Sequence, residues 1–363
     1  MLTPGDDPLN DPNVTCTGPF EVVSYSPQEE LVVQRNENYW GEPAKLDKIT
    51  FRFIPDETTR VLALQSGEVD LIIDVPRSIA QSVGARSGIK IEKAPVGNVT
   101  VIIPSRRDAQ GNPKLLADPL LRRAVAASID TESYVDGILG GLAEVVDTVA
   151  PPAVLGQFAD LVTGVDYDPE EAERLLDTAG WTREGDGIRT KSGQPLEMKI
   201  IFPQGASGGF GTDAATIEYV QAQLREVGID GKIAQFDPGA YSAAQKAGDY
   251  DLNISTPNQN NANPAFLLSI SFYWKGPFPT SKIVAPGPDT VYEALIDQTR
   301  AAQDPDDLRR LAAEAMHELV DVEVGAIPLS GGYRMFAMNE KVQGLIPHPS
   351  NTNQRWSTVF ISE

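Results

Sequence analysis

The chain is poor in the residues that carry disulfide and metal chemistry. It has one cysteine and two histidines in 363 residues. Cys16 alone cannot form an intramolecular disulfide, so cysteine usage leaves the redox compartment open. Cys16, His317 and His348 are too widely spaced to form a recognisable metal-ligand set, and we predict neither a metal nor another cofactor. A nickel chelate held through a single histidine remains compatible with this composition.

Long apolar runs and an excess of basic residues are also missing. No apolar stretch approaches the ~20 residues that span a bilayer. Residues 1–12 lack the basic and apolar segments of an export signal, so we expect them not to direct export. Against 51 acidic residues the chain has only 30 basic ones, a formal charge of −21. This charge repels phosphate backbones and anionic headgroups, so we expect no nucleic-acid partner and no membrane-surface role.

What is present indicates a globular α/β protein. The length allows two domains, and 41% hydrophobic with 22% charged residues is ordinary soluble composition. Apolar alternation predicts a first set of short strands, and a helix from Asp56 to Gly67 lies among them. These strands are Glu21 to Ser24, Leu31 to Gln34, Lys48 to Phe53, Asp70 to Val75 and Val99 to Ile103.

The second part of the chain has longer helices. Asp118, Asp168 and Asp304 each precede a proline, which places a capping carboxylate before a residue suited to the first helical position. Further strands are predicted at Leu196 to Phe202, Lys232 to Phe236, Tyr250 to Ile254 and Ala326 to Leu329. Strands that alternate with helices predict a second α/β layer domain.

Two clusters could form a binding site. The run from Asn258 to Asn263 contains five amide side chains, which either line a pocket for a neutral polar ligand or satisfy their own loop backbone. Phe272, Tyr273, Trp274 and Phe278 either stack on a ligand or pack in a core.

An enzyme hypothesis rests on one short motif. Gly205 to Gly209 matches the G-x-S-x-G nucleophile elbow, with Ser207 as its nucleophile, after a strand and before a helix. The helix begins too late for a sharp elbow. His317 is predicted to face solvent, and His348 lies between two prolines, so neither is a good catalytic partner. A serine hydrolase is therefore the alternative, and we do not predict an enzyme.

An ordered set of motifs resembles one family. Cys16 to Phe20 reads C-T-G-P-F, Arg35 to Gly41 reads R-N-E-N-Y-W-G, and Ala63 to Asp70 reads A-L-Q-S-G-E-V-D. Together with F-R-F-I-P-D at Phe51 to Asp56, they resemble the extracytoplasmic solute-binding proteins of ABC importers, family 5. Similar patterns follow at Arg123 to Asp130 and at Ile327-Pro328-Leu329.

The resemblance implies an α/β, two-lobed periplasmic-binding-protein-like fold of type II. Lobe one would comprise residues 1–105, completed by residues 336–363, and lobe two residues 106–335. In the family the G-T-G-P-[FY] motif lies well inside the chain. We therefore expect that lobe one is incomplete and that an N-terminal portion is missing. An inactive remnant is a further alternative.

The resemblance also implies a function. A solute would be captured in a cleft between the lobes without covalent chemistry, outside the cytoplasm, by a monomer that delivers it to ABC permease subunits. In peptide-binding relatives an aspartate four residues before a proline pairs with the ligand's ammonium group. Pro264 matches that proline, which puts Asn260 in the aspartate's place.

An amide supplies no charge for an ammonium group, so we expect a small peptide-like or other polar solute without a strict need for a free amine. We predict as ligand-binding residues Asn258, Asn260, Asn261, Phe210 and Trp274, with Phe210 at the end of a loop that the resemblance places near the cleft.

Overall fold

The computed structural model describes residues 17–75, 77–203, 214–257, 263–278, 280–347 and 354–362. Within these ranges the strands are β1 (Phe20–Ser26), β2 (Glu30–Arg35), β3 (Lys48–Arg52), β4 (Leu71–Ile73), β5 (Ile89–Pro104), β6 (Ala143–Glu144), β7 (Thr190–Lys191), β8 (Gln194–Pro195), β9 (Glu197–Pro203), β10 (Asp230–Phe236), β11 (Leu252–Ser255), β12 (Ile327–Asn339), β13 (Val342–Gln343) and β14 (Phe360–Ile361).

The helices of the same ranges are α1 (Glu57–Gln65), α2 (Arg77–Gly84), α3 (Pro119–Ala127), α4 (Thr131–Ser133), α5 (Pro152–Leu155), α6 (Pro169–Thr178), α7 (Ala214–Glu226), α8 (Pro238–Ala247), α9 (Pro264–Ser271), α10 (Ser281–Val284), α11 (Val291–Ala301) and α12 (Pro305–His317). No helix in the described residues is both long and apolar enough to cross a bilayer.

The chain divides into two compact units. Unit 1 comprises residues 1–94 and 334–363, and unit 2 comprises residues 95–333. The chain passes from unit 1 to unit 2 within β5 and returns to unit 1 within β12. The lobe boundaries at 105/106 and 335/336 stay a prediction, as does the cleft between the lobes.

Unit 1 contains a three-stranded antiparallel sheet in the order β1-β2-β3, with Val32 and Val33 of β2 buried. Its part of β12 pairs antiparallel with β4, and Phe336 lies opposite Ile73. Phe336, Met338, Val342 and Val359 form a small core in this unit. Arg334 contacts Asp74 through two hydrogen bonds, from Nε to Oδ1 at 2.8 Å and from Nη2 to Oδ2 at 3.0 Å.

Unit 2 has a mixed sheet between two layers of helices. Its strand order is β10-β9-β11-β5-β12, and β6 pairs with β12. β10, β9 and β11 are parallel to one another, whereas β5 is antiparallel to β11. Successive side chains of a strand enter opposite faces: Ile200 is buried with α3, α6 and α7 on one face, and Ile201 with α9, α11 and α12 on the other. Unit 2 is therefore an α/β layer domain, as the sequence predicts.

A buried ionic cluster links α3 to the turn after α12. Arg106 Nη1 lies 2.8 Å from Glu323 Oε2, and Arg106 Nη2 donates to the Glu323 carbonyl at 2.7 Å. Arg122 Nε donates to the same carbonyl at 2.8 Å. Burial, together with the charge of Arg106, lowers the pKa of Arg122 to about 10. One carboxylate thus serves two buried guanidinium groups.

Candidate functional site

The loops that carry most predicted ligand residues leave one edge of the unit 2 sheet. β9 and β11 are parallel neighbours, with Leu252 opposite Ile200 and Asn253 opposite Ile201. β9 ends at Pro203 and β11 at Ser255, so both strands end at the same side of the sheet. In open α/β sheets, ligands bind beyond the carboxyl ends of the strands. This edge is therefore the candidate site.

Four of the five predicted ligand residues lie outside the described residues. These are Phe210, which follows β9, and Asn258, Asn260 and Asn261, which follow β11. The same holds for Ser207 and His348 of the hydrolase hypothesis. Their predicted roles stay predictions.

Described residues fix the start of the amide loop. Thr256 Oγ1 lies 3.3 Å from Thr100 Oγ1 on the neighbouring strand β5. Asn253 is 3% exposed, and its Oδ1 accepts a 2.6 Å hydrogen bond from Tyr241 Oη of α8. The end of β11 is therefore held by side chains from two neighbouring elements.

The far end of the amide run is a helix cap. Asn263 Oδ1 accepts from the backbone N–H of Ala265 at 2.9 Å and of Phe266 at 3.3 Å, and Pro264 occupies the first helical turn. For Asn263, the interpretation that these amides satisfy local backbone is therefore confirmed.

The aromatic cluster divides by burial. Phe272 and Tyr273 are 0% and 2% exposed and belong to the core of unit 2, whereas Phe278 is 52% exposed. Trp274 is half-buried, and the Arg107 guanidinium lies 5.0 Å from the centroid of its ring system. Packing in the core thus accounts for two of the four residues. The role of Trp274 in ligand binding stays a prediction.

Arg107 is held beside Trp274 by backbone carbonyls. Its Nη1 donates to Ala285 O at 2.9 Å and its Nη2 to Pro286 O at 3.0 Å. Burial lowers the pKa of Arg107, but an arginine keeps its charge at neutral pH. Arg107 follows β5, whose last residue Pro104 lies opposite Leu252 at the start of β11, so Arg107 and Trp274 lie toward the edge opposite the strand-end site.

Glu293 anchors the backbone of Trp274. Thr290 caps α11 and accepts from the Glu293 N–H at 3.3 Å, while Glu293 Oε1 accepts from the Trp274 N–H at 2.5 Å. Glu293 is 2% exposed, and its Oε2 has no hydrogen-bond partner in the described part of the chain. Burial raises the pKa of the Glu293 carboxyl.

Sequence reasoning missed Arg107 and Glu293 as the residues that contact Trp274. Arg107 lies in the polar segment directly after an apolar strand, and the pair Arg106-Arg107 at a strand end was a detectable signal. Glu293 follows Thr290 by three residues, which is the spacing of a capping box. In the structure its carboxylate contacts Trp274 instead of the helix cap, a long-range contact that local spacing does not reveal.

Hydrolase and metal-site chemistry has little support among the described residues. His317 is exposed, and its Nδ1 lies 2.6 Å from Asp321 Oδ2, four residues further along the chain. The described ranges contain no group of three or more His, Cys, Asp or Glu side chains arranged to hold a metal ion.

Comparison with known families gives a match to most of the chain. The model of the bacterial extracellular solute-binding proteins, family 5, matches residues 3–278. The chain is 29% identical over 346 residues to the nickel-binding periplasmic protein of Escherichia coli K12, covering 92% of this chain and 62% of that protein. It is 30% identical over 319 residues to the oligopeptide-binding protein OppA of Mycobacterium bovis, covering 86% of this chain and 51% of that protein.

Solved structures are similar over nearly the whole chain. NikA of Brucella suis, in complex with Fe(III)-EDTA, has a TM-score of 0.79 at 25% identity, covering 95% of this chain and 68% of NikA. DppA of Helicobacter pylori, in complex with the peptide STSA, has a TM-score of 0.71 at 23% identity, covering 96% of this chain and 63% of DppA. The similarity to DppA concerns the fold alone.

The chain is therefore a member of the family 5 bacterial extracellular solute-binding proteins. The α/β fold of type II that the sequence predicts is confirmed. These relatives are binding proteins rather than enzymes, and neither they nor the family supports a serine hydrolase centred on Ser207. The chain spans 62% of the E. coli relative and about half of the mycobacterial one.

Proposed function

We propose that this protein is the substrate-binding component of an ABC-type importer and that it captures a small peptide-like or other polar solute outside the cytoplasm. The family match over residues 3–278 carries this proposal. Relatives named as nickel-, oligopeptide- and haem-binding proteins support reversible capture as the shared activity. The protein works as a monomer with permease subunits, and it performs no covalent chemistry.

The edge at the ends of β9 and β11 supplies the unit 2 part of the binding site. Asn258, Asn260, Asn261 and Phe210 are the predicted contacts in the two segments that follow these strands. Trp274, beside the Arg107 guanidinium at 5.0 Å, is a separate predicted contact toward the opposite edge of the sheet, because β5 ends at Pro104, opposite Leu252 at the start of β11. Amides and an aromatic face suit a ligand with peptide or other polar groups. With Asn260 in place of an aspartate, a free ammonium group is not required.

A panel of ligands tests the proposal. Thermal shift and calorimetry would compare free-amine peptides, N-acetylated peptides, small sugars, nickel chelates and haem. We expect saturable stabilisation by at least one peptide-like or polar solute, with N-acetylated peptides binding as well as free-amine ones. Stabilisation by free-amine peptides alone would contradict the predicted ligand class, and no stabilisation by any class would contradict capture itself.

Two variants localise the site. Replacing Trp274 by alanine tests its predicted ligand contact. This variant should bind the ligand found in the panel roughly tenfold more weakly, since a stacked aromatic contributes on the order of 1 kcal/mol beyond its buried area. Phe278→Ala, a change at an exposed aromatic four residues away, is the matched control and should leave affinity unchanged. Asn260→Asp should create a preference for free-amine peptides. Equal losses in the two aromatic variants would exclude Trp274 as a ligand contact.

A further inference from the structure

A concave surface lies on unit 2, beside α9. Its volume is about 580 Å³, within the range of small-molecule sites. Its walls come from α9, the segment after it, the end of α11 and the start of α12. The residues that carry the argument below are Phe266, Ser269, Tyr273, Lys275, Arg300 and Leu308.

One wall of this cavity is apolar and accessible. Phe266 is 46% exposed, although it lies on a helix whose neighbouring residues Leu267 and Leu268 are fully buried. Leu308, at the start of α12, is half-buried and lines the same cavity. A concave surface with exposed aromatic and aliphatic side chains can bury the apolar part of a ligand.

The cavity also contains an exposed arginine. The Arg300 guanidinium lies 5.2 Å from the Tyr273 ring centroid and shares a hydrogen bond with that side chain, and its charge helps to lower the pKa of Asp297. Lys275 Nζ lies 2.7 Å from Asp297 Oδ2. In a chain of formal charge −21, the local positive charge of Arg300 opposes the overall charge.

Other polar side chains of the cavity already have internal partners. The Ser269 hydroxyl donates to Ala265 O at 2.6 Å, and the Thr299 hydroxyl donates to Leu295 O at 2.7 Å. Asn263 caps α9, as described above. Arg300 has five N–H donors, more than its contact with Tyr273 uses, and a planar guanidinium matches a carboxylate in two parallel hydrogen bonds.

We propose that this cavity binds a small organic acid, with its carboxylate on Arg300 and its apolar tail against Phe266 and Leu308. The proposal uses residues other than the predicted ligand residues of the strand-end site and does not rest on the proposed transport function. Failure of the ligand panel above would leave it unchanged.

Matched amphiphiles test the choice of charge. Calorimetry would compare octanoate with octyltrimethylammonium, which has the same tail and the opposite charge. We expect saturable octanoate binding and at least tenfold weaker binding of the cation. Arg300→Gln should weaken octanoate binding roughly tenfold, because the substitution removes a charge-assisted contact. Arg309→Gln is the control, since Arg309 lies on α12, does not line the cavity and pairs with Asp306 at 2.7 Å.

Two further variants locate the tail. Leu308→Ser should weaken octanoate binding, whereas Trp40→Ser, a change at a residue of unit 1 that is 84% exposed, should not. Circular dichroism of each variant would verify folding. The proposal is overturned by equal binding of the two amphiphiles, by full binding to Arg300→Gln, by loss of binding in Trp40→Ser alone, or by no saturable octanoate binding.

Discussion

At the scale of single residues, two buried arginines share the carboxylate of Glu323. Arg106 and Arg122 have side chains 5% and 4% exposed, and the carboxylate of Glu323 is 29% exposed. We expect Glu323→Gln to lower the free energy of unfolding by about 3 kcal/mol, because removing one partner leaves charge buried without compensation. Urea denaturation would measure the loss.

The control for this prediction is Glu314→Gln. Glu314 pairs with Arg310 at 2.8 Å on the accessible face of α12, and such an i,i+4 pair contributes about 0.3–0.5 kcal/mol. If both variants lose the same amount, the cluster around Glu323 contributes no more than an ordinary surface ion pair.

Glu293 gives a prediction about pH. Burial raises its pKa in the folded protein above the ordinary value of 4.5, so the folded state holds this proton more tightly than the unfolded state. Its favourable contribution is fully present below about pH 4.5 and is lost as pH rises through the folded-state pKa. We expect Glu293→Gln to gain stability relative to the native protein as pH rises through that window.

Urea midpoints at a series of pH values between about 4 and 8 would measure this difference. Glu218→Gln, at an exposed position of α7, should show no such trend. A stability difference between Glu293→Gln and the native chain that stays constant with pH would show that the buried carboxyl titrates as it does in the unfolded chain.

At the scale of elements, the cap of α9 tests whether Asn263 has a local structural role. Replacing it by alanine should destabilise the protein by about 1 kcal/mol, because the first N–H groups of α9 lose their acceptor. Asn263→Asp should retain stability, since aspartate is an equally good cap. Thermal unfolding of the two variants would measure the effect. A loss of equal size in both would mean that the amide group itself, rather than capping, is required.

Helix starts were the part of the fold most accessible from the sequence. Asp118, Asp168 and Asp304 each cap a helix in the structure, with a proline in the first turn. Their signal is local, because the side chain and the N–H groups it satisfies lie within three residues. Asp237-Pro238 opens α8 by the same device, and the prediction overlooked it.

Strand lengths were less accessible from the sequence. β5 extends over Ile89–Pro104 and β12 over Ile327–Asn339, whereas apolar alternation indicated only Val99 to Ile103 and Ala326 to Leu329. Pairing with distant segments extends a strand beyond its own apolar pattern. The same limit applies to the candidate site. Trp274 was identifiable as an aromatic residue, but its contacts with Arg107 and Glu293 join segments far apart in the chain.

At the scale of the whole molecule, the charge of −21 opposes folding at low ionic strength, since compaction brings like charges together. Salt reduces this repulsion, because the Debye length falls from ~30 Å at 0.01 M to ~8 Å at 0.15 M. The same salt weakens exposed ion pairs, such as that between Arg309 and Asp306. These pairs are each worth under about 1 kcal/mol, so we expect the reduced repulsion to dominate and Tm to rise by a few degrees over this range.

Thermal scans at the two salt concentrations, at pH 7 and again near pH 4.5, would measure the balance. Around pH 4.5 a large share of the carboxyl groups is protonated, so the net charge and the effect of salt should both shrink. A Tm that falls with salt at pH 7 would show that specific ion pairs outweigh the overall repulsion. A rise of equal size at both pH values would assign the effect to salt acting on apolar burial, which does not depend on the charge of the protein.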